Sequence, residues 1–132
     1  MADALIRYNS GPVRVVRFLQ DLWAYAMKWE MWGLIAGTAA LVAGCLIPNR
    51  LLPRLPNDKL MHAGAFAVLA WLALGVASGP RSAVAWMAGL AIAGWLIECL
   101  QRLVPDRGFS WADIGANLAG IGAAILIRCV TP

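Results

Sequence analysis

Four long apolar runs, at about residues 31–48, 59–78, 82–104 and 111–128, constrain this chain more than any other feature. Each has roughly the 20 residues that an α-helix needs to cross about 30 Å of hydrocarbon at 1.5 Å per residue. A soluble domain of this size has too little interior to hide them. Of the 132 residues, 61% are hydrophobic and only 14% charged, against roughly 25% charged in a soluble domain. The chain therefore reads as an all-α polytopic membrane protein, with four transmembrane helices preceded by an amphipathic N-terminal helix. Residues 1–30 form an interfacial segment, and residues 31–132 form a single transmembrane domain.

The first dozen residues contain no apolar run that would serve as a cleavable signal, so insertion is expected to come from the spans. Ser10-Gly11-Pro12 is a helix-start signal. From residue 13 to 29 basic and apolar side chains alternate, with Val13, Val16, Leu19 and Trp23 able to share one side. Such a helix lies on the membrane surface or extends the first span; the sequence does not choose. Trp29 and Trp32 introduce the first span at the interfacial level. Small residues recur at four-residue spacing in three spans: Ala36/Ala40/Gly44, Ala85/Gly89/Ala93 and Ala116/Gly120/Ala124. These stripes permit close helix contact, within the bundle or with a second copy or partner membrane protein. Residues 48–57 form a proline-rich loop that cannot be helical throughout.

Net charge and cysteine usage exclude other classes. The net charge of +4 comes from scattered basic residues, which leave no nucleic-acid footprint. Cys45, Cys99 and Cys129 sit in or at the ends of apolar runs and offer neither a disulfide framework nor a CxxC metal pattern. They read as small hydrophobes.

The polar residues of the spans are not scattered. Glu98 and Gln101 are three apart near the end of the third span, and Asp113 and Asn117 are four apart near the start of the fourth, so each pair shares a helix face. Asp58, Lys59 and His62 stand at the entry of the second span, and Arg107 lies in the turn before the fourth. With four spans the second begins on the side to which the third returns, so all these groups lie at one membrane face. Structural roles compete with functional ones. Ser110-Trp111-Ala112-Asp113 matches a capping box, Asn57 or Asp58 can cap the second span, and Lys59, Arg102 and Arg107 can reach lipid phosphates. Glu98 is harder to account for, since burial in a span costs about 2–3 kcal/mol, less near the interface. Its expected partner is Lys59, His62 or Arg107.

The same residues carry a family resemblance. Asp58-Lys59-Leu60-Met61-His62 followed by Phe66, Glu98-Cys99-Leu100-Gln101, Arg107, and Asp113-Ile114-Gly115-Ala116-Asn117-Leu118-Ala119-Gly120 resemble the D-K-x-x-H, E-x-x-Q and R…D-x-x-x-N-x-x-G motifs of the VanZ-like family, over about residues 45–128. The resemblance implies a small bacterial cell-envelope membrane protein of a family associated with resistance to the glycopeptide antibiotic teicoplanin. It implies a residue set more than a reaction.

Three functional expectations follow. In the first, the polar site binds or processes an anionic membrane lipid or lipid-linked saccharide, with Asp58, Lys59, Gln101, Arg107 and Asn117 as binding residues. His62, Glu98 and Asp113 are its candidate catalytic groups, with Asp113 or Asp58 orienting the imidazole. In the second, Glu98 is the proton-coupled carboxylate of a small transporter or channel. In the third, the chain is a structural interaction module. Asp58, His62, Glu98 and Asp113 offer O and N donors, yet no H-x-x-x-H or comparable spacing singles out a metal, so neither metal nor cofactor is assigned. Arg7, Arg14, Arg17, Lys28, Arg81 and Arg128 lie on the N-terminal side, against Arg50, Arg54, Lys59, Arg102 and Arg107 on the motif side. Setting Lys59 and Arg107 aside as site residues, the balance places both termini in the cytoplasm and the site at the outer face of the inner membrane.

Overall fold

In a computed structural model, the described residues are 10–26, 29–51 and 57–131. Residues 52–56 of the proline-rich loop, the polar stretch 1–9 and Lys28 lie outside the described residues. The described chain is helical, with α1 over Ser10–Ala26, α2 over Trp29–Leu46, α3 over Asp58–Val76, α4 over Pro80–Gln101 and α5 over Trp111–Val130, plus a single 3₁₀ turn at Asn49–Leu51. Helices α2 to α5 are each long and apolar enough to cross a membrane. In α1, Val15, Val16, Phe18, Leu19 and Leu22 are all exposed.

Local chemistry explains where the helices start. Asn57 is the N-cap of α3, its Oδ1 accepting the Leu60 N–H at 3.2 Å. Pro80 occupies the first turn of α4, where the missing N–H costs nothing. Ser110 caps α5, its Oγ accepting the Asp113 N–H at 3.2 Å. The third span ends at Gln101, three residues before the expected Val104. There the bonds tighten to 3₁₀ type, Leu103 N–H to Leu100 O at 2.9 Å and Val104 N–H to Gln101 O at 3.1 Å. Pro105 disfavours helical backbone at Val104, and Asp106 turns the chain with φ 63°, a left-handed conformation that Asp tolerates better than most residues.

Helix α3 is the centre of the bundle and touches α2, α4 and α5. Its Phe66, Leu69, Ala70, Leu72 and Ala73 form the core with Leu34 of α2, Leu90 of α4, and Ile121 and Ala124 of α5. The closest approach is α3 on α5, and it depends on Gly120. A Cβ there would run into the Ala63 carbonyl oxygen and lie 3.0 Å from the Ala67 nitrogen. The Ala116/Gly120/Ala124 stripe thus packs inside the bundle. The other two stripes face outward: Ala36, Ala40, Ala85 and Gly89 are exposed, and a Cβ at Gly89 would meet nothing within 4 Å. At the end opposite the polar motifs, Glu30 and Arg128 converge on Gly75, whose Cβ would lie 3.0 Å from Glu30 Cγ and 3.2 Å from Arg128 Nη2. Arg128 also sits 4.4 Å over the Trp71 ring, a cation–π contact. Exposed Trp29 and Trp32 at the start of α2, and Trp111 at the start of α5, occupy positions suited to the two membrane interfaces.

Candidate functional site at the α3, α4 and α5 ends

The predicted polar residues meet at one end of the bundle. Helix α3 delivers Asp58, Lys59 and His62 from its first two turns, α4 delivers Glu98 and Gln101 from its last, and α5 delivers Asp113 and Asn117 from its first two. Their burial is unusual for polar groups: Glu98 is 0% exposed, Gln101 and Asn117 2%, His62 6% and Asp113 8%. Asp58 and Lys59 stand at the exposed rim. Groups this buried need partners, and the partners divide the cluster into three parts.

The first part is structural. Gln101 Nε2 donates to the Cys45 carbonyl at 3.3 Å. Arg107 donates from Nε to the Ile47 carbonyl at 2.9 Å and from Nη2 to the Gly44 carbonyl at 3.3 Å. The last carbonyls of a helix have no partner within it, and these two side chains supply partners for two in α2, Gly44 and Cys45, and for Ile47 just beyond its end. Gln101 and Arg107 therefore tie the first span to the α4–α5 turn.

The second part is a cap shared between helices. Glu98 Oε2 accepts the backbone N–H of Ser110 at 3.1 Å. In a capping box that N–H bonds to the acidic residue three positions on, here Asp113. Glu98 from α4 takes that place, so its partner is a backbone amide and not the expected Lys59, His62 or Arg107. The Asp113 carboxylate is thereby free of capping, and the use of Asn57 as the α3 cap leaves Asp58 free in the same way.

The third part is the remainder around His62. His62 Nδ1 lies 3.1 Å from Asn117 Oδ1. An amide oxygen only accepts, so Nδ1 carries the proton and, in the neutral ring, Nε2 keeps its lone pair. Asn117 therefore orients the imidazole, in place of the expected Asp113 or Asp58. Gly94 makes room for this contact: a Cβ there would lie 3.0 Å from both Asn117 Nδ2 and Phe66 Cζ. Lys59 Nζ approaches Asp113 Oδ1 at 3.7 Å from a side chain that is 60% exposed, an ion pair too long for a hydrogen bond. Among the described residues, Glu98 Oε1, Asp113 Oδ1 and Asn117 Nδ2 are buried with no hydrogen-bond partner.

A cleft of about 210 Å³ opens beside these groups, lined by Asp58, His62 and Arg107 together with Cys45 and Met61. An apolar groove of about 400 Å³ between α2 and α3 shares Ala40, Leu41, Met61 and Ala65 with it. The three cysteines are free, with Cys45 buried and Cys129 exposed. Sequence reasoning missed the partner of Glu98 and the α2 carbonyls served by Gln101 and Arg107. Ser110 was visible as a cap, but its backbone N–H carries no sequence signal. Comparison of the chain with protein-family models, with curated proteins and with solved structures finds no match.

Proposed function

We propose that this chain is a VanZ-like membrane protein of the bacterial cell envelope. On this reading it binds or processes an anionic lipid, or a lipid-linked envelope intermediate, at the polar end of α3, α4 and α5. The observation that carries the reading is the continuity of the apolar groove with the polar cleft. The groove begins beside Gly37 and Val68, well within the spans, and runs through Ala40, Leu41, Met61 and Ala65 to Asp58, His62 and Arg107. An amphiphile fits that gradient, with an acyl or prenyl chain in the groove and its headgroup at the rim. Lys59, exposed and only loosely paired with Asp113, is the cation best placed for a phosphate. Arg107 lines the cleft while holding α2, so it contributes positive potential more than a movable donor.

His62 is the acid/base candidate for the processing form of this function. It is oriented by Asn117, and it lines the cleft. Glu98 supports the α5 cap and stands less than one turn from the end of α4, which favours lipid binding at a membrane face over proton-coupled transport from a midplane carboxylate. The charge balance of the loops supports an inner-membrane orientation with the termini in the cytoplasm and the cleft outside. A link to glycopeptide resistance is part of the same reading.

Native mass spectrometry of the purified protein tests it. Retention of phosphatidylglycerol over phosphatidylcholine is expected, reduced at least severalfold by Lys59→Ala. Equal retention of both lipids, or retention indifferent to Lys59, would remove the basis for the proposal.

A further inference from the structure

The polar end of the bundle holds more negative than mobile positive charge. Asp58, Glu98 and Asp113 supply three carboxylates at one end of the bundle, while Lys59 is loosely placed and Arg107 is bonded to the Gly44 and Ile47 carbonyls. Neither Asp58 nor Asp113 is used as a helix cap, because Asn57 and Ser110 fill those roles. One ligand atom from each of Asp58, His62 and Asp113 lies within 4.8 Å of the others. These three residues come from two helices, which is why no short sequence spacing revealed the set.

We propose that Asp58, His62 and Asp113 form a binding site for one divalent transition-metal ion of the Mn²⁺ or Zn²⁺ type. The donor set is two carboxylate oxygens and one imidazole nitrogen, a mixture open both to borderline Zn²⁺ and to the harder Mn²⁺, whereas Ca²⁺ and Mg²⁺ favour oxygen alone. The imidazole is prepared as metal-binding histidines are. Its Nδ1–H donates to the Asn117 amide oxygen at 3.1 Å, which fixes the tautomer and leaves the lone pair on Nε2, the nitrogen that would bind the ion.

A second, independent observation is the state of Glu98. It is completely buried and its Oε1 has no hydrogen-bond partner among the described residues. Its Oε2 accepts the Ser110 N–H while Ser110 Oγ accepts the Asp113 N–H, so it borders the same cluster. A buried carboxylate beside two others is costly without a countercharge, and an ion at the Asp58/His62/Asp113 position supplies one. Glu98 then stands behind the ligands, held by the Ser110 N–H.

Geometry permits closure. Three donors each about 2.1 Å from one ion lie at most about 3.6 Å apart when evenly spread around it, so a pair at the 4.8 Å limit draws in by about 1.2 Å. Asp58 is exposed at the start of α3 and is free to move that far. The Lys59 ammonium near Asp113 is the competing cation, and its exposed stem lets it swing out. Three protein ligands leave coordination positions open towards the cleft, as in sites where the ion also meets a substrate. The inference extends the lipid reading without resting on it.

The test is Mn²⁺ uptake by the full chain, purified in a lipid-free uncharged detergent and stripped with chelator. Loss of the free-Mn²⁺ EPR signal reports binding, and Mn²⁺ is chosen because it has little affinity for the three cysteines. Saturation at about one ion per chain is expected, with competition by Zn²⁺ and at least a tenfold weaker affinity in both Asp58→Asn and Asp113→Asn. Asp58→Asn is the variant that controls for folding, because the side chain is exposed and Asn57 remains as the cap; its metal-free melting temperature should match that of the parent. Absence of saturable uptake by the parent, or uptake that both variants leave unchanged, overturns the proposal. Because no lipid is present, neither outcome alters the lipid-retention result.

Discussion

The Glu98 carboxylate accepts the backbone N–H of Ser110 at 3.1 Å, completing from one helix the cap that begins the next. Ser110 in turn accepts from Asp113. A chain that would otherwise close its capping box locally instead closes it across the α4–α5 turn. Two consequences follow: α4 and α5 are locked at the site, and the Asp113 carboxylate is released from capping to stand 3.7 Å from the Lys59 ammonium.

This relationship predicts different outcomes for two substitutions. Glu98→Gln keeps a carbonyl that accepts the Ser110 N–H, so unfolding free energy should change by no more than about 1 kcal/mol. Glu98→Ala leaves that N–H and a cavity behind, and should cost about 2–4 kcal/mol. Detergent-titration unfolding followed by circular dichroism measures both. Equal stability of the Ala variant and the parent would show that the cap is not shared.

Gly120 provides the second prediction. A Cβ at this position meets the backbone of Ala63 and Ala67, which cannot move as a side-chain tip can. Gly120→Ala should therefore destabilise the bundle by about 2–3 kcal/mol or more. Gly89→Ala, where a Cβ meets open space, should be neutral or gain up to about 1 kcal/mol of helix propensity. The pair of melting temperatures separates packing inside the bundle from the outward stripe.

Arg107 and Gln101 predict a local effect. Arg107→Ala exposes the Gly44 and Ile47 carbonyls, and Gln101→Ala that of Cys45. Each variant should accelerate amide hydrogen exchange in the last turn of α2, by tenfold or more for a loss of about 1.4 kcal/mol. Exchange in α5 should change less. Arg107→Lys should behave like Arg107→Ala, because an ammonium lacks the planar fork that bridges two carbonyls.

The His62–Asn117 contact is testable as a double-mutant cycle. His62→Ala and Asn117→Ala each remove one side of a buried hydrogen bond. Their effects should be non-additive, with a coupling of about 1 kcal/mol. A coupling near zero would mean that the imidazole is oriented by something other than Asn117.

Much of the architecture was legible in the residues. Four apolar runs of membrane-spanning length specify four helices, because a buried or lipid-facing backbone must satisfy its own hydrogen bonds. Ser110, Asn57 and Pro80 mark helix starts through chemistry that acts over three residues. Alternation of spans was enough to bring Asp58, His62, Glu98, Asp113 and Asn117 to one end. The ends of the first three spans were read too long, the first two by two residues and the third by three, where the effect of Pro105 reaches back to tighten the turn after Gln101.

Which polar group meets which was decided by tertiary structure alone. Spacing along a helix fixes a face, but it leaves open the rotation and depth of that helix against its neighbours. Here those are set by the small surface of Gly120 against Ala63, which brings α5 close enough for Asn117 to reach His62, and by the room at Gly94 for the Asn117 amide. The α4–α5 turn then places the Ser110 N–H over Glu98. Sequence determined that a polar cluster forms at one membrane face; close packing of α3, α4 and α5 decided that Glu98 supports the cap while Asp58, His62 and Asp113 stand together.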